Sequence, residues 1–294
     1  MPSPFSKPFR WLLVLGLLLC AAEAHAQLVV DLQIKRRLFM RYEPILATVV
    51  VHNNAGRDVM LADTAEGGPW FQFHITAENN SLVAPSNAHY EVEPLLVKNG
   101  ESVKRTVNLG SLFPLGDFGT YHVKASVFYP TTGKFFTSKV DHFSVMEGKV
   151  VWRQTVGVPD GMQGEGDNRL MSLLTMETDK GRNLYVRVEG DDAIYGCYDL
   201  GRMADGAAPD AKFDSGNNMA ILHLIGPKTY SLSRVGVNGA FLGQGTYVTP
   251  KTQPYLRRNP EGQLQIVGAV RQQETVARSE PSVVPKVSDR PPGF

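Results

Sequence analysis

The apolar positions of this chain fall into short runs of strand periodicity, and no stretch repeats with the spacing of a helix. Residues 28–34 alternate toward their end. Residues 45–52 are rich in β-branched side chains and stop at Asn53-Asn54-Ala55-Gly56, a turn cluster, with residues 57–62 expected as the returning arm. In residues 70–76 Phe71, Phe73 and Ile75 share one face, and Trp70, Gln72 and His74 share the other. Leu95-Leu96-Val97 leads through Lys98-Asn99-Gly100-Glu101, a hairpin signal, into a strand over residues 101–109. Residues 121–129 and 135–145 flank Pro130-Thr131-Thr132-Gly133 and predict another hairpin. Its first strand should point Tyr121, Val123, Ala125, Val127 and Tyr129 inward, and His122, Lys124, Ser126 and Phe128 outward.

The second half continues the pattern. Residues 150–158 read as an extended connector into a glycine-rich acidic loop over 159–168. Hairpins are expected around Asp179-Lys180-Gly181 and Gly226-Pro227-Lys228, with a strand over 194–200 and a last strand over 264–270. The fold class is therefore all-β: a β-sandwich over residues 27–147, then a second β-sandwich or β-meander domain over 148–270. Residues 271–294 are charged, carry several prolines and have too little apolar content to fold alone, so a disordered tail is expected there.

One motif sharpens the first domain. Asp117-Phe118-Gly119-Thr120-Tyr121-His122-Val123 looks like the D-x-G-x-Y-x-C entry to strand F of immunoglobulin-like domains, with Val123 at the cysteine position. Arg41-Tyr42-Glu43-Pro44-Ile45, Val49-Val50-Val51-His52-Asn53-Asn54 and Gly100-Glu101-Ser102 precede it in order. Together they resemble bacterial immunoglobulin-like domains of the macroglobulin and intracellular proteinase inhibitor type, except that no glycine precedes Glu43-Pro44. The resemblance spans residues 28–147. It implies an immunoglobulin-like β-sandwich of a kind used as spacer, adhesin module or inhibitor scaffold, with Tyr121 closing the corner through a bond to upstream backbone.

The N-terminus changes the picture of where such a protein works. Lys7 and Arg10 precede an apolar run over residues 11–20, and Ala24-His25-Ala26 offers small residues where a signal peptidase reads. Residues 1–26 are expected to be a signal peptide cut before Gln27, because the run falls short of the ~20 residues a membrane span needs. Leu19 before Cys20 does not fit a lipoprotein signal. The mature protein should be periplasmic or secreted. The leader removes Lys7, Arg10 and Glu23, which leaves formal charges balanced, so neither nucleic acid nor an anionic membrane would attract the mature chain at long range. Only Cys197 remains, within an apolar strand, which predicts a buried structural thiol and no internal disulfide.

Candidate chemistry is sparse. G-x-S-x-G, the phosphate-binding loop, H-E-x-x-H and C-x-x-C are all absent. His52, His74, His89, His122, His142 and His223 are scattered. His122 and His142 lie on strands expected to pair, and a bulge near Val140 would turn both outward near Asp141, a conceivable transition-metal site. Calcium is conceivable at two acidic loops, residues 160–167 and residues 199–214 with Asp205, Asp210 and Asp214. No cofactor is otherwise implied. Trp70, Gln72 and His74 form the candidate ligand-binding strip, aromatic and polar on one strand face. These features predict a non-enzymatic exported β-module protein that binds a protein or glycan in the envelope or extracellular space, or serves a structural role there. Alternatives are a proteinase inhibitor and a hydrolase using acidic residues of the second domain.

Overall fold

The computed structural model describes residues 28–64, 68–86, 93–250 and 253–272. The expected signal peptide, His89, and the expected tail beyond Gln272 lie outside the described residues. The described chain is all-β apart from a single 3-10 turn at Leu109–Ser111, and none of its helices is long and apolar enough to cross a membrane.

The first sheet pairs β1 (Leu28–Ile34) and β8 (Ser102–Asn108) on either side of β3 (Leu46–Asn53). The second runs in the order β2 (Leu38–Met40), β11 (Asp141–Met146), β9 (Gly119–Tyr129), β5 (Phe71–Ala77), β6 (Leu82–Val83), with β10 (Lys134–Thr137) also on β9. All pairings are antiparallel except β2 with β11. Alternating positions drive the two sheets together: Val49 and Val51 of β3, Phe71, Phe73 and Ile75 of β5, and Tyr121, Val123, Ala125 and Val127 of β9 all enter one core. Tyr121 is buried and its hydroxyl donates to the Asp117 carbonyl at 2.9 Å, the corner expected from the sequence.

Four local expectations are corrected. Residues 57–62 do not return along residues 45–52, and residues 95–97 do not form a hairpin with 101–109. Instead β4 (Val59–Leu61) pairs with β7 (Leu95–Val97) as a separate ribbon, and β8 crosses to β3. The fully buried Asn53 explains the switch: its amide donates to the carbonyls of Arg57 and Val97, both at 2.8 Å. Residues 135–145 are two strands, because at Ser138 half of the ladder is diverted: its N–H still donates to the Ala125 carbonyl at 2.9 Å, but the Ala125 N–H goes to the Ser138 hydroxyl at 3.0 Å. Ser126 and Phe128, expected outside, are buried, and Phe128 packs on Phe135 with centroids 4.9 Å apart.

The expected connector is itself a strand, β12 (Lys149–Gly157). It opens an antiparallel meander with β13 (Asn168–Thr178), β14 (Gly181–Glu189) and β15 (Ile194–Arg202). No strand of residues 149–202 enters the sheets of residues 28–146. Packing divides the chain later, however. One compact unit holds the described residues through Met203 together with Gly236–Phe241; the other holds Ala204–Val235 and the described residues from Leu242 on. The meander belongs to the first unit because Met40 packs with Leu174, Met176, Tyr185 and Cys197. Gly148 lies at this joint, where a Cβ would collide with the Met40 side chain.

In the second unit β16 (Asp210–Phe213), β17 (Met219–Gly226), β18 (Thr229–Val235), β19 (Phe241–Val248) and β22 (Val270–Arg271) form one sheet in that order. A hairpin of β20 (Tyr255–Arg258) and β21 (Leu264–Val267) contributes Leu256, Leu264 and Ile266 to a core with Ala220, Leu222, Tyr230 and Leu232. β19 starts within the segment assigned to the first unit.

Candidate functional site

The largest departure from expectation concerns the proposed strip on β5. Trp70 sits just before the strand and is 1% exposed, its ring tilted against Phe71, and its backbone N–H donates to Asp63 Oδ1 at 2.9 Å. A tryptophan at the mouth of a sandwich gains more from core packing than it would from solvent. Gln72 is half-buried and turns its amide to the Pro69 carbonyl at 3.1 Å, while His74 is exposed. The three side chains do not make a common platform.

A concave surface lies elsewhere in the first unit. A cleft of about 520 Å³ opens between the β2–β3 turn, the loop after β8 and the start of β15. The turn is built by Glu43: its N–H donates to the Met40 carbonyl at 2.9 Å, and its carboxylate accepts the Met40 N–H at 3.1 Å. That carboxylate also takes Arg36, whose other nitrogen reaches Asp199 of β15 at 2.9 Å. Burial outweighs these partners and holds the Glu43 pKa above the ordinary carboxylate range. This bonding forces Tyr42 into the left-handed region, at φ 68°, and projects its ring outward. Arg41 lies against the Tyr42 ring at 4.7 Å and against Phe118 at 5.0 Å.

The opposite wall comes from β15. Tyr195 is as exposed as Tyr42, about 40% in both cases, and the buried Arg169 lies 3.9 Å from its ring centroid. Tyr198 donates its hydroxyl to the Gly239 carbonyl at 2.7 Å and packs on Phe241. Between the walls are Ile45, Phe113 and Leu115, all buried. Cys197 reaches the cleft from below. Burial, and then the Glu43 carboxylate, push its pKa up to about 12, so it is a thiol at neutral pH. The cleft therefore offers apolar surface and two tyrosine rings, each held by a guanidinium. Such a surface suits contact with a flat or extended ligand.

The remaining candidates stay apart. The break after β10 does set His122 opposite His142, both exposed, with ring centroids 6.4 Å apart. Asp141 points the other way, accepting from the Ile34 N–H at 3.0 Å and from Arg37. In the first acidic loop the Asp167 carboxylate accepts from Arg169, and Glu165 accepts the Gly161 N–H at 2.9 Å. In the second stretch Asp199 serves Arg36 and Asn183, Asp210 accepts the Leu256 N–H, and Asp214 caps its own turn at Gly216 and Asn218. Among the described residues no three histidine, cysteine or acidic side chains gather as metal ligands. Tyr42 was visible in the sequence only as part of a fold motif, and Tyr195 only as part of the apolar run around Cys197.

No family profile matches the chain, and no curated protein does. Among solved structures, Spo0M, a sporulation control protein from Bacillus subtilis, overlaps 57% of this chain and 80% of its own, with 11% identity and a TM-score of 0.29. So loose an overlap transfers nothing about role.

Proposed function

We propose that the mature chain is an exported, non-enzymatic β protein that binds a protein or glycan in the periplasm or outside the cell through the tyrosine cleft. The observation that carries this reading is the pair of half-exposed tyrosines, Tyr42 and Tyr195, facing a cleft of about 520 Å³ and each backed by an arginine. Aromatic side chains held rigid by neighbours give contact area at low entropic cost, which is the property of binding hot spots. The buried, protonated Cys197 supports binding over catalysis, since it is not poised as a nucleophile. The all-β sandwich architecture supports the reading too, and the immunoglobulin-like resemblance of residues 28–147 implies a module of a kind for which partner binding is a common task.

Export is tested by sequencing the N-terminus of the protein recovered from the envelope or medium, which should begin at Gln27. Binding is tested by pull-down from native envelope with the mature protein as bait, alongside Tyr42→Ala and Tyr195→Ala. Loss of the captured species with both variants is expected. Capture that is indifferent to both would reject the cleft. Turnover of a glycan, peptide or ester substrate that disappears on changing one carboxylate would reject the non-enzymatic reading.

A further inference from the structure

The second unit carries a trough that the tyrosine cleft does not account for. It lies on the face of the sheet where β18 and β19 run side by side, with a volume of about 270 Å³. Its floor is the buried Leu232 of β18 with Gly243 and Gly245 of β19, two positions at which that strand carries no side chain. Tyr247 closes one end. Arg234 of β18 and Arg271 of β22 stand along the walls. Arg271 and the Tyr247 ring lean over Gly245, with the Arg271 Nε and a Tyr247 ring carbon each 3.5 Å from where a Cβ would stand, an ordinary contact distance. A second hollow of about 430 Å³ adjoins the trough through Arg234 and Leu242.

Two guanidiniums face this trough, and among the described residues no carboxylate pairs with either. The acid that lines the adjoining hollow, Asp214, accepts the N–H groups of Gly216 and Asn218 at 2.9 Å and the Asn218 amide at 3.1 Å, so its own turn engages it. Arginine forks match planar carboxylates in two-point geometry. The trough is also the wrong place for a peptide backbone. A sheet face presents no free ladder groups, because backbone N–H and C=O lie in the plane of the strands. Beside Arg271 the edge of β19 is taken at Tyr247 and Val248 by β22, and at the Thr246 carbonyl by Gln272. A pyranose ring has the opposite character: an apolar C–H face to lie against glycine and the Tyr247 ring, and polar groups around its rim.

We propose that this trough is a binding site for acidic saccharides, with the carboxylate of a uronate-type sugar held between Arg234 and Arg271. The site does not depend on the cleft of the first unit.

The test is calorimetric titration of the mature protein at low salt with trigalacturonate as the probe. Saturable binding is expected, weakened at least tenfold by Arg234→Gln or Arg271→Gln. Arg234→Lys, which keeps the charge but not the fork, should recover only part of it. Gly245→Val should block the floor and abolish binding while leaving the strand spectrum by circular dichroism unchanged. The fully methyl-esterified trisaccharide should not bind. Absence of saturable binding at millimolar probe would overturn the proposal, as would equal affinity of the ester or an undiminished response in the arginine variants. A tri-glutamate peptide binding as tightly as the trisaccharide would also overturn it, by showing an anion site with no preference for sugar.

Discussion

Asp141 does more for the first unit than its position at a strand end suggests. Its carboxylate accepts the Ile34 N–H at 3.0 Å, the His142 N–H at 2.9 Å and the Arg37 guanidinium, so it ties β11 to the end of β1. Burial alone would push its pKa up, but Arg37 and the two N–H groups outweigh that, and the net shift is downward. A depressed carboxyl pKa stabilises the fold above the ordinary carboxylate range, and the contribution disappears as pH falls through the lowered value. Thermal midpoints measured from pH 6 to pH 2 should therefore fall more steeply for the wild type than for Asp141→Asn; parallel curves would refute this role. Tyr121 makes a simpler case. Its ring stacks on Phe143 at 5.4 Å whatever its hydroxyl does, so Tyr121→Phe removes little beyond the bond to Asp117. The denaturant midpoint should drop by the equivalent of about 1 kcal/mol, the usual net worth of one hydrogen bond. An unchanged midpoint would mean the corner bond contributes nothing.

Asn53 shows how a single element end sets the topology around it. Besides holding Arg57 and Val97, its side chain accepts the Ala55 N–H at 2.9 Å, and its backbone exchanges bonds with Gly100 and Glu101. Asn53→Ala would strand the buried Val97 carbonyl, at a cost of about 1–3 kcal/mol. Urea unfolding should register a loss in that range or above, and a loss below 0.5 kcal/mol, roughly the size of a neutral surface change, would show that the switch is fixed elsewhere. The same residue explains what could and could not be read in advance. Alternation located the strands of residues 28–34, 70–76 and 121–129 because each buries one face. It could not choose their partners, because Asn53-Asn54-Ala55-Gly56 and Lys98-Asn99-Gly100-Glu101 look like local hairpin turns while the Asn53 side chain and the backbone of Gly100 and Glu101 hold a crossing between sheets. β19 escaped notice for another reason: Gly243 and Gly245 erase the alternation on the face where they form the proposed trough. The cleft was hidden similarly, since Tyr42 and Tyr195 come from distant segments and neither carries a motif of its own.

Across the first unit, sandwich and meander share a core that strand patterns could not reveal, because the contact runs through side chains and not through a ladder. Met40, fully buried, lies against Leu174, Met176, Tyr185 and Cys197, and the Arg36 that holds Glu43 also holds Asp199. Arg187 of β14 reaches back to Glu147 at 2.9 Å. A chain ending at Glu147 retains every strand of the sandwich yet loses all of these partners. Met40 would be uncovered, at a cost of about 1.5–3 kcal/mol for a side chain of that size. The Arg36–Glu43 pair would gain solvent and lose Asp199, a smaller effect because exposed pairs contribute little. For a domain of about 100 residues, each kcal/mol moves the thermal midpoint by roughly 4–8 °C. The shortened chain should therefore melt at least about 6 °C below the first transition of the full mature protein, and it should bind a hydrophobic dye at the newly bared Met40 face. Restoring polarity there with Met40→Gln should suppress the dye signal in the short chain and destabilise the long one. If the short chain melts with the full protein and takes up no dye, residues 28–147 form a self-sufficient domain and the meander only rests against them.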